Sequence, residues 1–183
     1  MSCRPANSIS RRAFMPLVAA AFLSPAVIAT ARAQGAAWQI YRREDLGFEV
    51  ELPGKPKITT ETYEGDDPVV KSIDAEVNVE QMTMGANYAE YRNPAFLDEE
   101  VAAQRTVARA LQGQMRVTPF TLNGIEGRQI AIESTLMNGI MRFVVINNRR
   151  IMLNVIGNAD IHTSATVRRF FDSFKLLPAP GPR

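Results

Sequence analysis

Residues Asn138–Leu177, NGIMRFVVINNRRIMLNVIGNADIHTSATVRRFFDSFKLL, decide how the chain is read. They predict strand, tight turn, strand, helix. In the last part, Val167, Phe170, Phe171 and Phe174 recur at i, i+3, i+4 and i+7, which lines them along one helical face. Arg168, Arg169, Asp172 and Lys175 fall on or near the other faces. Asp160, Thr163 and Ser164 each suit the helix start, where a side-chain oxygen accepts from an orphan backbone N–H. Pro178 and Pro180 forbid continuation. Burying one Phe is worth roughly 1.5–3 kcal/mol, so the stripe predicts a helix that is a main part of the core. Ile140–Ile146 and Ile151–Ile156 are apolar runs rich in β-branched residues, the pattern of strands. Asn147-Asn148 suits the turn between them, because Asn tolerates positive φ. Asn138-Gly139 is a hairpin signal ahead of them. Phe170, Phe171 and Phe174 are expected to dock on a sheet containing both runs.

Moving outward, Trp38–Arg43 reads as a first strand, and Phe48–Leu52 alternates apolar with acidic residues as a half-buried strand does. Pro53-Gly54-Lys55-Pro56 ends it. Ile58–Tyr63 reads as a polar edge strand, and Val69–Asn78 with Met82–Ala89 as a hairpin of period two. Asp98-Glu99-Glu100 opens a helix expected to run to about Met115, with acids in its first turn, Arg109 and Arg116 near its end, and a stripe of Leu97, Val101, Ala108, Leu111 and Met115. Gly113 weakens its last turn. Val117–Leu122, Asn123-Gly124 and Gly127–Glu133 form another hairpin. Helices do not alternate with strands, which disfavours a parallel α/β sheet. The expected class is α+β, an antiparallel β-sheet with helices packed on it.

The first 33 of the 183 residues differ in kind. Arg4, Arg11 and Arg12 precede an Ala-rich, weakly apolar run, and Ala31-Arg32-Ala33 is a small-x-small cleavage site ahead of Gln34. This is the layout of a cleavable export signal, too short and interrupted by Pro16 and Pro25 to span a bilayer as a retained anchor. Ser10, Arg11, Arg12 and Phe14 match the twin-arginine motif S-R-R-x-F-L-K, with Met15 and Pro16 in its last two places. Twin-arginine export is therefore expected, with the Sec route as the alternative. The predicted organisation is a signal over 1–33, a short lead over 34–37, one globular domain over 38–177 and a flexible tail over 178–183.

Removing the leader takes away four Arg and no acid, so 17 basic residues face 19 acidic ones and the mature chain carries −2. That gives no electrostatic case for nucleic acid. The single cysteine, Cys3, leaves with the leader, and with it any thiol, disulfide or Cys metal site.

Three stretches carry a resemblance: Gly47-Phe48-Glu49-Val50-Glu51-Leu52-Pro53-Gly54-Lys55-Pro56, Asn123-Gly124-Ile125-Glu126-Gly127-Arg128, and Arg168-Arg169-Phe170-Phe171-Asp172-Ser173-Phe174-Lys175-Leu176. In this order and spacing the chain resembles the PsbP-like family, α/β/α sandwich domains related to a lumenal photosystem subunit and to small exported bacterial proteins. The resemblance implies that fold and an extracytoplasmic setting. It supplies no catalytic residues.

Chemistry-bearing candidates are few. His162 is the only histidine and is expected at the surface near a helix cap rather than as a base or ligand, and no G-x-S-x-G motif accompanies it. Glu64, Asp66 and Asp67 lack the spacing of a calcium loop and read as a solvated turn. No P-loop or dinucleotide fingerprint is present. Arg149-Arg150 and Arg168-Arg169 are weighed as a basic patch against solvated charges, and Met82, Met84 and Tyr88 as a pocket lining against core. The expected function is a non-enzymatic periplasmic accessory or interaction domain. It has no cofactor and no metal, its partner is an unidentified protein of the cell envelope, and no membrane span remains after cleavage. The alternative is a small binding module holding a lipid or other apolar ligand in a sheet–helix cleft.

Overall fold

The computed structural model describes residues 37–94, 97–158 and 160–178. The expected signal, most of the lead and all of the tail beyond Pro178 lie outside the described residues. Ten strands and two helices follow in the order β1 (Gln39–Arg43), β2 (Phe48–Leu52), β3 (Lys57–Thr62), β4 (Val69–Val79), β5 (Met82–Tyr91), α1 (Leu97–Ala110), β6 (Gln114–Leu122), β7 (Ile125–Glu133), β8 (Asn138–Ile146), β9 (Arg149–Gly157), α2 (Ala165–Asp172) and β10 (Lys175–Leu176). Seven strands pair antiparallel as β3-β4-β5-β9-β8-β7-β6. The class is α+β.

The expected single sheet is a correction: β1, β2 and β10 form a separate three-stranded sheet. The Pro53–Pro56 break releases the chain from β2 before β3 begins, and β2 instead pairs with β1 on one side and with Lys175-Leu176 on the other. The Leu177 N–H donates to the Gly47 carbonyl and closes that junction.

Alternation on β8 separates two apolar clusters. Ile140 and Val144 join a cluster with Ile73, Met84, Leu153 and Val155 of the neighbouring strands, with Phe48, Val50 and Leu52 of the small sheet, and with Val167, Phe170 and Phe171 of α2. Met141, Phe143 and Val145 point the other way and cluster with Ile130, Ile132, Val101 and Ala108. Because strand side chains alternate between faces, the two clusters lie on opposite faces of the sheet. Helix α2 begins at Ser164, whose hydroxyl accepts from the Val167 N–H, so Ser164 is the cap among the three candidates. The helix ends at Asp172, and Phe174 packs from just beyond it, edge-on to Phe48 at 6.4 Å between ring centres.

Helix α1 stops five residues short of the expected Met115. Gln112 takes φ 52°, its N–H donates to the Arg109 carbonyl, and the Gly113 N–H donates to the Ala108 carbonyl at 2.9 Å. This is a Schellman ending. Met115 and Arg116 consequently belong to β6, and Met115 reaches the α1 cluster from a strand. Asn138-Gly139 makes no turn. The Ser134 hydroxyl accepts from the N–H groups of Leu136 and Met137, which places the bend at 134–137, and Asn138 pairs with Gly157 inside the sheet. Asn123-Gly124 does turn, with φ of 50° and 80° suited to the two-residue hairpin.

Candidate functional site

Ser10, Arg11, Arg12, Phe14, Ala31, Ala33 and Gln34 all lie outside the described residues. The remaining sequence candidates are dispersed. His162 is exposed, its backbone N–H donates to Asp160, and its ring stands 3.7 Å from the exposed Glu133. Asp67 accepts from the Val69 N–H within its turn. Met82, Met84 and Tyr88 are core. The four arginines make no patch: Arg169 stacks on Trp38 at 4.3 Å and pairs with Glu51 at 2.7 Å, while Arg150 is drawn beneath α1.

Arg150 belongs to a chain of polar side chains on the α1 face of the sheet. Its Nη1 donates to Glu100 at 2.5 Å and its Nη2 to the Asn87 carbonyl oxygen at 2.7 Å; Asn87 donates in turn to Asp74. The Tyr91 phenol donates to the other Glu100 oxygen. Burial, and then that bond to Glu100, push the Tyr91 phenol above its ordinary range. Helix α1 buries only Val101 and Ala108 beside Glu100, so an ionic fastening takes the place of much of an apolar one. The Arg150 Nε is buried with no partner among the described residues. The one signal in the sequence is Glu100 itself, a charge set beside Leu97 and Val101 on an apolar stripe.

A second arrangement opens to solvent. At the β6 end of the sheet, beside α2, lies a groove of about 630 Å³ lined by Thr118, Phe120, Leu122, Gln129, Arg142 and Phe171. Phe120 lies over Gly127, where a Cβ would sit 2.6 Å from its ring. Arg142 shares its sheet face with Ile140 and Val144 and runs into the groove. Its Nε donates to Gln129 at 2.7 Å, and its Nη1 reaches the Phe171 carbonyl at 3.5 Å. Its guanidinium lies 4.9 Å from the Phe171 ring centre and 6.0 Å from that of Phe120. The nearest carboxylate, Asp172, is 3.8 Å away and mostly exposed. Burial lowers the Arg142 pKa, and the charge of Asp172 only partly opposes it. A guanidinium remains charged through such shifts, so the groove presents a partly dehydrated cation between two aromatic rings. In the sequence Arg142 is visible only as a cation at the inward phase of an apolar strand.

A smaller apolar pocket of about 200 Å³ lies where Leu46, Leu176 and Leu177 of the small-sheet junction meet Ile125, Ile146 and Ile151. Among the described residues, no group of three or more His, Cys, Asp or Glu side chains is placed to hold a metal ion. No helix among them is long and apolar enough to cross a membrane.

No protein-family model matches the chain, and no curated protein matches it. Among solved structures it is similar to the solution structure of cyanobacterial PsbP (CyanoP) from Synechocystis sp. PCC 6803, at 13% identity and a TM-score of 0.49, over 82% of this chain and 98% of that one.

Proposed function

We propose that this protein is a non-enzymatic accessory domain that acts by binding a partner protein in the cell envelope. The observation that carries the reading is the solvent-open groove at the β6 edge, where Arg142 sits partly dehydrated between Phe120 and Phe171. Aromatic residues and arginine are the types that dominate binding energy at protein interfaces. Among the described residues, ionisable groups gathered elsewhere pair with one another, as Glu100 and Arg150 do. The two helices joining clusters on opposite sheet faces, together with the three sequence motifs, support reading the architecture as a PsbP-like α/β/α sandwich. Ser10–Phe14 and Ala31–Ala33 support twin-arginine export, cleavage before Gln34 and a periplasmic address.

The pocket beside Leu46 and Ile151 favours a second reading, a binding module for a small apolar ligand. At about 200 Å³ it falls below the roughly 300–1,000 Å³ of ordinary ligand sites, which places this reading second.

Photo-crosslinking in the native envelope separates the two. A crosslinking residue at Thr118, in the groove, is expected to give a discrete protein adduct that the same residue at Ile58, on the opposite sheet edge, does not give. Adducts at neither position, with an apolar molecule retained in native mass spectra of the purified protein, would replace the first reading by the second.

A further inference from the structure

We propose that the groove between β6 and α2 takes an extended segment of the partner that presents an acidic side chain beside an aromatic or aliphatic one, with the carboxylate seated on Arg142. This rests on the partner-binding reading above and names the chemistry it requires.

Charge is the first argument. Arg142 has been partly removed from water, yet its hydrogen bonds go to neutral acceptors, Gln129 and the Phe171 carbonyl. Its Nη2 makes none to the described residues, and Asp172 stands at 3.8 Å, beyond hydrogen-bond distance. A carboxylate arriving at the open side would find donors in the planar fork that carboxylates match, and would offset the dehydration already incurred.

The strand edge is the second. Asn123-Gly124 closes a two-residue hairpin, so Leu122, Phe120 and Thr118 face Ile125, Gly127 and Gln129 as the bonded pairs. Thr121, Pro119 and Val117 therefore direct their backbone groups away from β7. Pro119 has no N–H to offer. Among the described residues no strand pairs on this edge, which presents carbonyls at all three positions but N–H groups only at Thr121 and Val117, a pattern that discourages indiscriminate pairing yet leaves footing for a short added strand.

Shape is the third. The groove is open to solvent, and its lining mixes apolar Phe120, Leu122 and Phe171 with polar Thr118 and Gln129. An extended chain with alternating side chains fits an open groove of mixed lining, whereas a lipid requires an enclosed apolar one.

The test uses the whole mature protein. Random peptides displayed against it should yield sequences with Asp or Glu beside an aromatic or aliphatic residue. Amidating that acid, or making Arg142→Gln in the protein, should weaken binding by on the order of tenfold or more, with the variant's melting curve recorded alongside. A titration of unmodified protein needs no variant: 3-phenylpropanoate should shift the backbone amide resonances of Gln129, Arg142, Phe171 and Asp172, and 3-phenylpropanamide should do so far more weakly. Peptides selected without an acid, equal shifts from acid and amide, or decanoate filling the groove while no peptide does, would each overturn the proposal. If the Thr118 crosslink to a partner persists unchanged in Arg142→Gln, this proposal fails while the partner-binding reading stands. If no partner is found at all, the reading itself fails.

Discussion

The ring of Phe120 covers Gly127 so closely that a Cβ there would meet its Cε1 and Cζ at 2.6 Å and the Phe143 carbonyl oxygen at 2.7 Å. One wall of the groove thus exists because its neighbour has no side chain. Gly127→Ala is expected to displace the ring and cost about 1–3 kcal/mol, the range of overpacking. Adding Phe120→Ala should recover part of that loss, leaving the remainder to the fixed carbonyl. Urea melts of both single variants and the double variant measure the coupling, and additive losses would show that ring and glycine do not interact.

Arg150 and Glu100 are both largely buried, with Asn87 accepting from Arg150 and Tyr91 donating to Glu100. Arg150→Met should cost about 3–5 kcal/mol, because it strands a carboxylate beneath α1. Combining it with Glu100→Leu should cost less than Arg150→Met alone. A double variant worse than the single one would mean that the pair is not the fastening of the helix.

Phe170 is fully buried in the main cluster, and Phe170→Ala should cost about 3–5 kcal/mol. Arg168 is exposed and unengaged in ion pairs with the described residues, so Arg168→Ala should stay within about 0.5 kcal/mol. Arg169 is not an equivalent control. Its bond to Glu51 and its stacking on Trp38 should add up to a loss of about 0.5–1 kcal/mol. Equal, mild effects at Phe170 and Arg168 in denaturant melts would remove α2 from the core.

Burial, followed by the nearby Glu90 carboxylate, pushes the Tyr88 phenol from 10.0 up to about 12. The folded protein therefore keeps a proton that the unfolded chain releases near pH 10. This contribution to stability is intact below pH 10 and is lost as the pH climbs towards 12, at up to about 1.4 kcal/mol per pH unit. Tyr88→Phe should flatten that decline. Unfolding free energies measured between pH 9 and 11 decide it, and identical slopes for the two proteins would count against a shifted phenol.

Changing Arg11 and Arg12 together to Lys should leave the uncleaved precursor in the cytoplasm, since the paired guanidiniums are what the twin-arginine motif presents. Fractionation of cells expressing the double variant reads this out. Undiminished export would assign the leader to the Sec route.

Much of the architecture could be read in advance where one local pattern decides the outcome. The alternation of Phe48–Leu52 and the stripe of Val167, Phe170 and Phe171 each specify an element and its buried side. What they leave open is the partner. Nothing in β2 shows that it pairs with Lys175 and Leu176 rather than with the main sheet, because a two-residue strand has no periodicity to detect. Asn123-Gly124 and Asn138-Gly139 are the same dipeptide with opposite fates, and the difference is the Ser134 hydroxyl, which binds the N–H groups that a hairpin at Asn138 would need elsewhere. The groove was hidden for a related reason. Arg142 and Phe171 are 29 residues apart and meet only once α2 is packed. Arg142 was nevertheless a visible irregularity, a cation in phase with Ile140 and Val144, as Glu100 was on the stripe of α1.

The stacking of Arg169 on Trp38 has a spectroscopic consequence. Trp38 is the only tryptophan in the chain, and it sits where β1 meets α2. Its emission should change when a guanidinium leaves its ring and water reaches it, so intrinsic fluorescence watches the small sheet part from α2. It is blind to the opposite face. If α1 opened by itself, held as it is by Arg150 and Glu100, the emission would stay constant while circular dichroism lost helix. The two optical signals together can therefore show whether this protein unfolds in one step or releases its first helix beforehand.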